Sequence, residues 1–205
     1  MRAGVILAGG RSTRFGDADK AVAELAGTPM VRRVADRLVN VVDELVVNCR
    51  EDQVDAIGGA LDGLGVDVRF APDPEPDQGP MVGIRTGLAA ARAEYAAVVA
   101  CDMPFVEPGL VAHLFERAEG HDAAVPRLED GWYQTTQAVY RAGAMADACD
   151  AALARGEGRI VAAFDDLDVV AVGEDEVLDR APLETFRNLN TREEFEAAAA
   201  ELADR

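Results

Sequence analysis

The chain has 205 residues, with 20 basic and 38 acidic side chains and a net charge of −18. At roughly 150 residues per domain, this length fits a single domain, residues 1–205, whose core needs no disulfide or structural metal. The charge argues against a general nucleic-acid binder, which needs a basic footprint, and the longest apolar run, 95–101, is far short of the roughly 18 residues of a membrane span. In chain order, Met1-Arg2 leads directly into a strand pattern at 4–7 rather than a signal-peptide form, so a cytoplasmic location is expected. Thr28-Pro29 reads as an N-cap and first helical residue, ahead of Val31, Val34, Ala35 and Leu38 on one face. Further strands are expected at 44–48, 67–71, 95–100, 123–126, 134–140 and 169–172. The first four strands are continuously apolar, as strands covered on both faces are. Thr191 and Glu194 form a capping box before a last helix with Phe195, Ala198, Ala199 and Leu202 on one face. This alternation predicts an α/β fold, a mostly parallel sheet between two layers of helices.

In such sheets ligands bind beyond the carboxyl ends of the strands. The residues to examine are therefore 8–20, Asn48, Asp73 and Asp102. Cys49, Cys101 and Cys149 are far apart and form no C-x-x-C pair, so they read as buried apolar residues rather than a zinc or redox site. His113 and His121 have no partner at ligand spacing and receive no role.

The most informative segment is 7–20, LAGGRSTRFGDADK. Gly9, Gly10 and Gly16 permit tight turns and close backbone approach to a ligand. Amides exposed in such a loop make an anion-binding nest. Arg11, Arg14 and Lys20 add cations in an otherwise acidic chain. The segment fits neither the Walker A spacing nor the dinucleotide fingerprint, since position 15 is Phe and positions 11 and 14 are Arg. Of the 20 basic residues, 19 are Arg, and Lys20 is the only lysine. A lysine kept here suits a compact point charge rather than a planar fork. The Lys-poor, acidic, Ala-rich composition also suits a chain adapted to high salt, where screening weakens self-repulsion.

The pattern from Leu7-Ala8-Gly9-Gly10 through Arg14, Phe15, Gly16 and Lys20 to Gly27-Thr28-Pro29 resembles the signature of nucleotidyltransferases with the GT-A-like, Rossmann-like fold. Val47-Asn48, Gly79-Pro80-Met81-Val82-Gly83-Ile84, Cys101-Asp102-Met103-Pro104 and Asn188-Leu189-Asn190-Thr191 narrow the resemblance to the MobA-type molybdenum cofactor guanylyltransferases, over residues 3 to 202. The resemblance implies a three-layer α/β/α sheet fold and transfer of GMP from GTP to the phosphate of molybdenum-bound molybdopterin. It implies nucleotide binding by Leu7, Ala8, Gly9, Gly10, Lys20, Asn48, Asp73 and Asp102. It further implies catalytic roles for Arg14, Lys20 and Asp102, with Asp102 holding Mg²⁺. Asn188 and Asn190 match the acceptor-binding motif, and Asn190 is a candidate second metal ligand. Transient contact with cofactor insertion or delivery proteins would follow.

Each of these positions has a plainer reading as well. Asp102 can cap a turn, Asn48 can bond its own backbone, and Glu75 or Asp77 can replace Asp73 as the guanine contact. The segment 132–140 lacks the His/Arg-Pro step that relatives carry, which leaves the acceptor open. Arg127, Arg155, Arg159 and Arg187 can meet an acceptor phosphate or pair with nearby acids. Adenosylcobinamide-phosphate guanylyltransferase, molybdopterin cytidylyltransferase and a non-catalytic nucleotide-binding regulator are the alternatives.

Overall fold

The computed structural model describes residues 1–10, 19–74 and 78–203. Strand β1 (Arg2–Leu7) leads to a 3-10 turn (Lys20–Val22), the short strands β2 (Glu24–Leu25) and β3 (Thr28–Pro29), and helix α1 (Met30–Leu38). Next come β4 (Glu44–Cys49), a 3-10 turn (Glu51–Gln53), α2 (Val54–Ala60), β5 (Asp67–Pro72), α3 (Pro80–Ala90), β6 (Tyr95–Ala100) and α4 (Pro108–Ala118). The chain continues through β7 (Ala123–Arg127), β8 (Gln137–Arg141), α5 (Ala142–Ala154), β9 (Val169–Gly173), α6 (Glu174–Leu178) and α7 (Arg192–Ala203).

Among the described residues, seven strands form the main sheet in the order β5-β4-β1-β6-β8-β7-β9. Strands β5, β4, β1 and β6 run parallel, and so do β7 and β9, while β8 is antiparallel to both its neighbours. The expected mostly parallel α/β/α architecture is what forms. Alternate strand residues face opposite layers. Ile6, Val47 and Val99 pack with α1, α2 and α4, whereas Val5, Val46 and Val98 pack with α3 and α5. Burial on both faces explains why β1, β4 and β6 read as apolar runs; β5, expected to be covered in the same way, is the edge strand, carries Asp67 and Arg69, and has only Ala71 buried. Val31, Val34, Ala35 and Leu38 are buried as their spacing predicts. All three cysteines are free and buried.

Two boundaries differ from the sequence reading. Thr28 does not cap a helix: it pairs with Leu25 across a two-residue turn, Ala26-Gly27, with φ of 48° and 76°. Such a turn matches the twist of paired strands. Pro29 remains extended, with ψ 139°, so it is the N-cap and α1 begins at Met30. The strand expected at 134–140 begins only at Gln137, because the Gln137 amide turns back to the Gln134 carbonyl at 3.1 Å.

Candidate active site

The parallel strands end level with one another. Leu7 lies opposite Asn48 and Ala100, and Asn48 lies opposite Ala71. The chain leaving these ends lines a cleft of about 600 Å³. Leu7, Ala8, Gly9, Gly10, Lys20, Asn48, Asp73 and Asp102 all line it, with the start of α3 and Thr136 completing the wall. Asp73 and Asp102 follow strands three sheet spacings apart. At about 4.8 Å per strand they stand about 14 Å from each other across the cleft.

At the β5 end, Asn48 is 2% exposed, and its Nδ2 donates to Asp73 Oδ1 at 2.7 Å and to the Ala71 carbonyl at 3.1 Å. This arrangement requires glycines. A Cβ on Gly9 would lie 2.8 Å from Asp73 Oδ2, and one on Gly83 would lie 2.5 Å from Asn48 Oδ1. The backbones of the Gly-rich loop and of α3 therefore close directly onto the Asn48–Asp73 pair. Helix α3 starts with Gly79 at φ 88°, a conformation that favours glycine, and Pro80 follows in its first turn.

At the β6 end, Lys20 Nζ lies 3.0 Å from Asp102 Oδ2, and the lysine is only 9% exposed. The Asp102 carbonyl accepts the Leu189 amide at 3.0 Å, which sets the chain before α7 beside the carboxylate. Glu194 then closes the expected capping box. Its carboxylate accepts the Asn190 amide at 2.6 Å and the Thr191 amide at 2.9 Å, and its own amide donates to Thr191 Oγ1 at 3.2 Å. Those bonds from Thr191 and Asn190, reinforced by the Lys20 charge, hold the Glu194 carboxyl below its usual range. Burial pushes the neighbouring Cys101 thiol far up, so it stays neutral.

Three side chains that the sequence reading gave no role tie the Gly-rich loop at both ends. Asp19 Oδ1 accepts the Ala21 amide at 3.0 Å and so caps the turn carrying Lys20. Asp19 Oδ2 accepts Gln53 Nε2 at 2.7 Å, and Arg50 Nη2 sits 3.5 Å away. Gln53 is buried and also donates to the Ala8 carbonyl at 3.2 Å. Arg50 reaches the Gly10 carbonyl at 3.4 Å. The available signal was position: Arg50 and Gln53 follow a strand end, as Asn48 does.

Arg14, Glu75 and Asp77 lie outside the described residues. Asn188 and Asn190 are exposed on either side of buried Leu189; they flank the Asp102 end without lining the cleft. Arg155 pairs with Glu157 and Asp166, and Arg187 with Glu201, as solvated arginines do. Chemically, the cleft offers a cation beside a carboxylate for phosphates at one end, amide and carboxylate groups for a heterocycle at the other, and the Gly9–Gly10 backbone between them.

The model of the MobA-like NTP transferase domain matches residues 4–176. A probable molybdenum cofactor guanylyltransferase from Natronomonas pharaonis is 49% identical over 202 residues, covering 98% of each chain. A relative of the same description from Haloferax mediterranei is 43% identical, covering 97% of this chain and 93% of its own. Among solved structures, molybdopterin-guanine dinucleotide biosynthesis protein A from Archaeoglobus fulgidus superposes with a TM-score of 0.81 at 24% identity over the whole of both chains.

Proposed function

The chain belongs to the MobA-like NTP transferase family, and from that premise we propose that it transfers GMP from GTP to the terminal phosphate of molybdenum-bound molybdopterin, releasing pyrophosphate. The observation that carries this reading is one cleft with Asn48–Asp73 at one end and Lys20–Asp102 at the other. Its span of about 14 Å suits a nucleotide lying across the strand ends, base at β5 and phosphates at β6.

At the base end, Asn48 fixes the Asp73 carboxylate through its Oδ1. Oδ2 then accepts N–H groups on the guanine edge, which adenine and pyrimidines do not present in that pattern. At the phosphate end, Lys20 holds the β- and γ-phosphates, where negative charge grows as pyrophosphate leaves, and the Gly9 and Gly10 backbone, which follows β1 between the two ends, lies along the nucleotide. The family resemblance assigns Arg14, which lies outside the described residues, to the same phosphates.

A divalent ion fits at Asp102. Among the described residues no group of three His, Cys, Asp or Glu side chains could hold a metal. Mg²⁺ needs only one or two carboxylates, completing its shell with water and phosphate oxygens. Asp102 lines the cleft, and Lys20 engages one of its two oxygens. When bound, the ion neutralises phosphate charge.

The attacking group is a phosphate oxygen of the acceptor. It forms a bond to the α-phosphorus, the bond to the bridging oxygen breaks, and that electron pair leaves with pyrophosphate. A phosphate monoester has its second pKa near ~6, so it is already anionic at neutral pH and needs no general base. The two histidines fit this: His113 is bonded to Glu176 at 2.6 Å and His121 to Asp168 at 2.8 Å, and neither lines the cleft. The chain's work is alignment and charge stabilisation. Asn188 and Asn190, beside Asp102, meet the incoming phosphate.

The test is pyrophosphate release with Mg²⁺ and molybdenum-loaded molybdopterin, comparing GTP with CTP. Release with GTP that depends on the acceptor is expected. Release with cobinamide phosphate instead, or with CTP instead of GTP, overturns the assignment.

A further inference from the structure

The cleft accounts for the nucleotide and for the reacting phosphate of the acceptor; the acceptor's heterocycle needs a further contact surface beyond Asp102. Trp132 is the chain's only tryptophan and is 71% exposed. It sits on the hairpin between β7 and β8. Strand β8 runs antiparallel to β6, with Gln137 opposite Val99, and the Ala100 amide donates to the Thr136 carbonyl at 2.9 Å. The chain turns back at Gln134–Gln137 between Trp132 and β8, but β6 and β7 both run antiparallel to β8, so the hairpin that leaves β7 lies at the same end of the sheet as Asp102. Thr136 lines the cleft. Four residues span at most about 14 Å even when extended, so the Trp132 backbone stands within that reach of Thr136 at the cleft wall.

The hairpin is braced. The Trp132 amide donates to Asp130 Oδ1 at 2.9 Å, and its carbonyl accepts the Leu128 amide at 3.2 Å. Tyr133 bridges to Arg127, whose guanidinium covers the Tyr133 ring at 5.3 Å. The Glu129 amide is anchored on Glu174 at 2.9 Å. A fixed backbone presenting a bare indole among Arg127, Glu129 and Asp130 does not form an apolar patch of the size that protein partners use. It does present one aromatic face of the size of a fused heterocycle.

We propose that Trp132 is the stacking platform for the pterin ring system of the acceptor, holding it at the β8 rim while the phosphate reaches Asp102. This rests on the molybdopterin reading above and adds its ring-binding subsite.

The experiment uses the full chain with Mg²⁺, GTP and molybdenum-loaded molybdopterin, as wild type, Trp132→Ala and Trp132→Phe. Aromatic stacking supports a rise of about tenfold in the acceptor KM of Trp132→Ala, with Trp132→Phe within about threefold of wild type. The GTP KM should not move. In wild type, molybdopterin should shield the indole from acrylamide quenching, and Mg²⁺-GTP alone should not. An unchanged acceptor KM in Trp132→Ala, or an equal loss in Trp132→Phe, overturns the platform while leaving the guanylyltransferase reading intact. If wild type gives no turnover, that reading fails. Shielding by molybdopterin would then still support the ring subsite, and its absence would overturn it as well.

Discussion

Replacing Gly83 by alanine should damage the site more than the helix that carries it. The added methyl would lie 2.5 Å from Asn48 Oδ1 and 3.3 Å from its Cγ. Carbon contacts are comfortable only from about 3.5 Å, so Asn48 must move by nearly an ångström. It has no free direction, because it is buried and its Nδ2 is committed to Asp73 at 2.7 Å and to Ala71 at 3.1 Å. Breaking those bonds costs about 1–3 kcal/mol for each buried group left unpaired. Against this stands the ~1 kcal/mol that alanine gains over glycine inside a helix. The net is a loss of about 2 kcal/mol, or about 4–8 °C in Tm for a chain of this size. Loss of the fixed Asp73 carboxylate should also weaken Mg²⁺-GTP binding at least ~10-fold. Gly59→Ala in α2 is the control, since nothing lies within 4 Å of its added methyl; it should gain about 0.5–1 kcal/mol. Thermal melts and calorimetric titration with GTP read both effects. A Gly83→Ala chain that melts higher than wild type, as Gly59→Ala should, and binds GTP normally refutes the reasoning.

Lys20→Ala should lower kcat by about 100-fold or more, as loss of one charge-stabilising donor does elsewhere, with little change in Tm because Asp102 still reaches solvent; near-normal turnover would remove Lys20 from the mechanism. Gln53→Leu strands the Ala8 carbonyl and leaves Asp19 Oδ2 with Arg50 alone among the described residues, so the GTP KM should rise about tenfold, while an unchanged KM would show that the loop holds its shape without the clasp. Glu44 is far from the cleft, at the start of β4. Burial alone would raise its carboxyl, but the Arg92 amide, the Arg69 guanidinium and the Ala93 amide outweigh burial and hold it below its usual value. A carboxylate depressed on folding stabilises above its unfolded pKa of about 4.3 and loses that contribution as pH falls through the folded value. Glu44→Gln should therefore cost about 1–2 kcal/mol at pH 7, and its melting curve should approach that of wild type as pH drops below about 4. A gap that stayed constant with pH would contradict this.

Much of the site was readable because strand ends were readable. Leu7, Asn48 and Ala100 close unbroken apolar runs, and placing those runs in parallel puts Ala8, Asn48, Asp73 and Asp102 on one edge before any coordinate is known. What could not be read depends on side chains meeting across sequence. Asp19, Arg50 and Gln53 look like ordinary loop residues, and only the fold brings Gln53 against Ala8. Thr28-Pro29 misled because a local cap signal competed with a hairpin turn at Ala26-Gly27. Arg33 reinforces that turn by donating to the Leu25 carbonyl at 2.7 Å and the Ala26 carbonyl at 3.1 Å. Gly83 and Gly87 carry no chemistry in sequence, yet a methyl on Gly87 would collide with Val5, so both set how closely α3 lies on the sheet.

The bond from the Leu189 amide to the Asp102 carbonyl also bears on how the protein is made. Domains generally fold as units, and Leu189 and Ala198 share one buried core with Ile6, Val47 and Val99. The Gly-rich loop, Asn48, Asp73 and Asp102 emerge from the ribosome well before Leu189, so the cleft is complete only once residue 189 has been synthesised. A chain cut short before it would lack the segment that flanks Asp102.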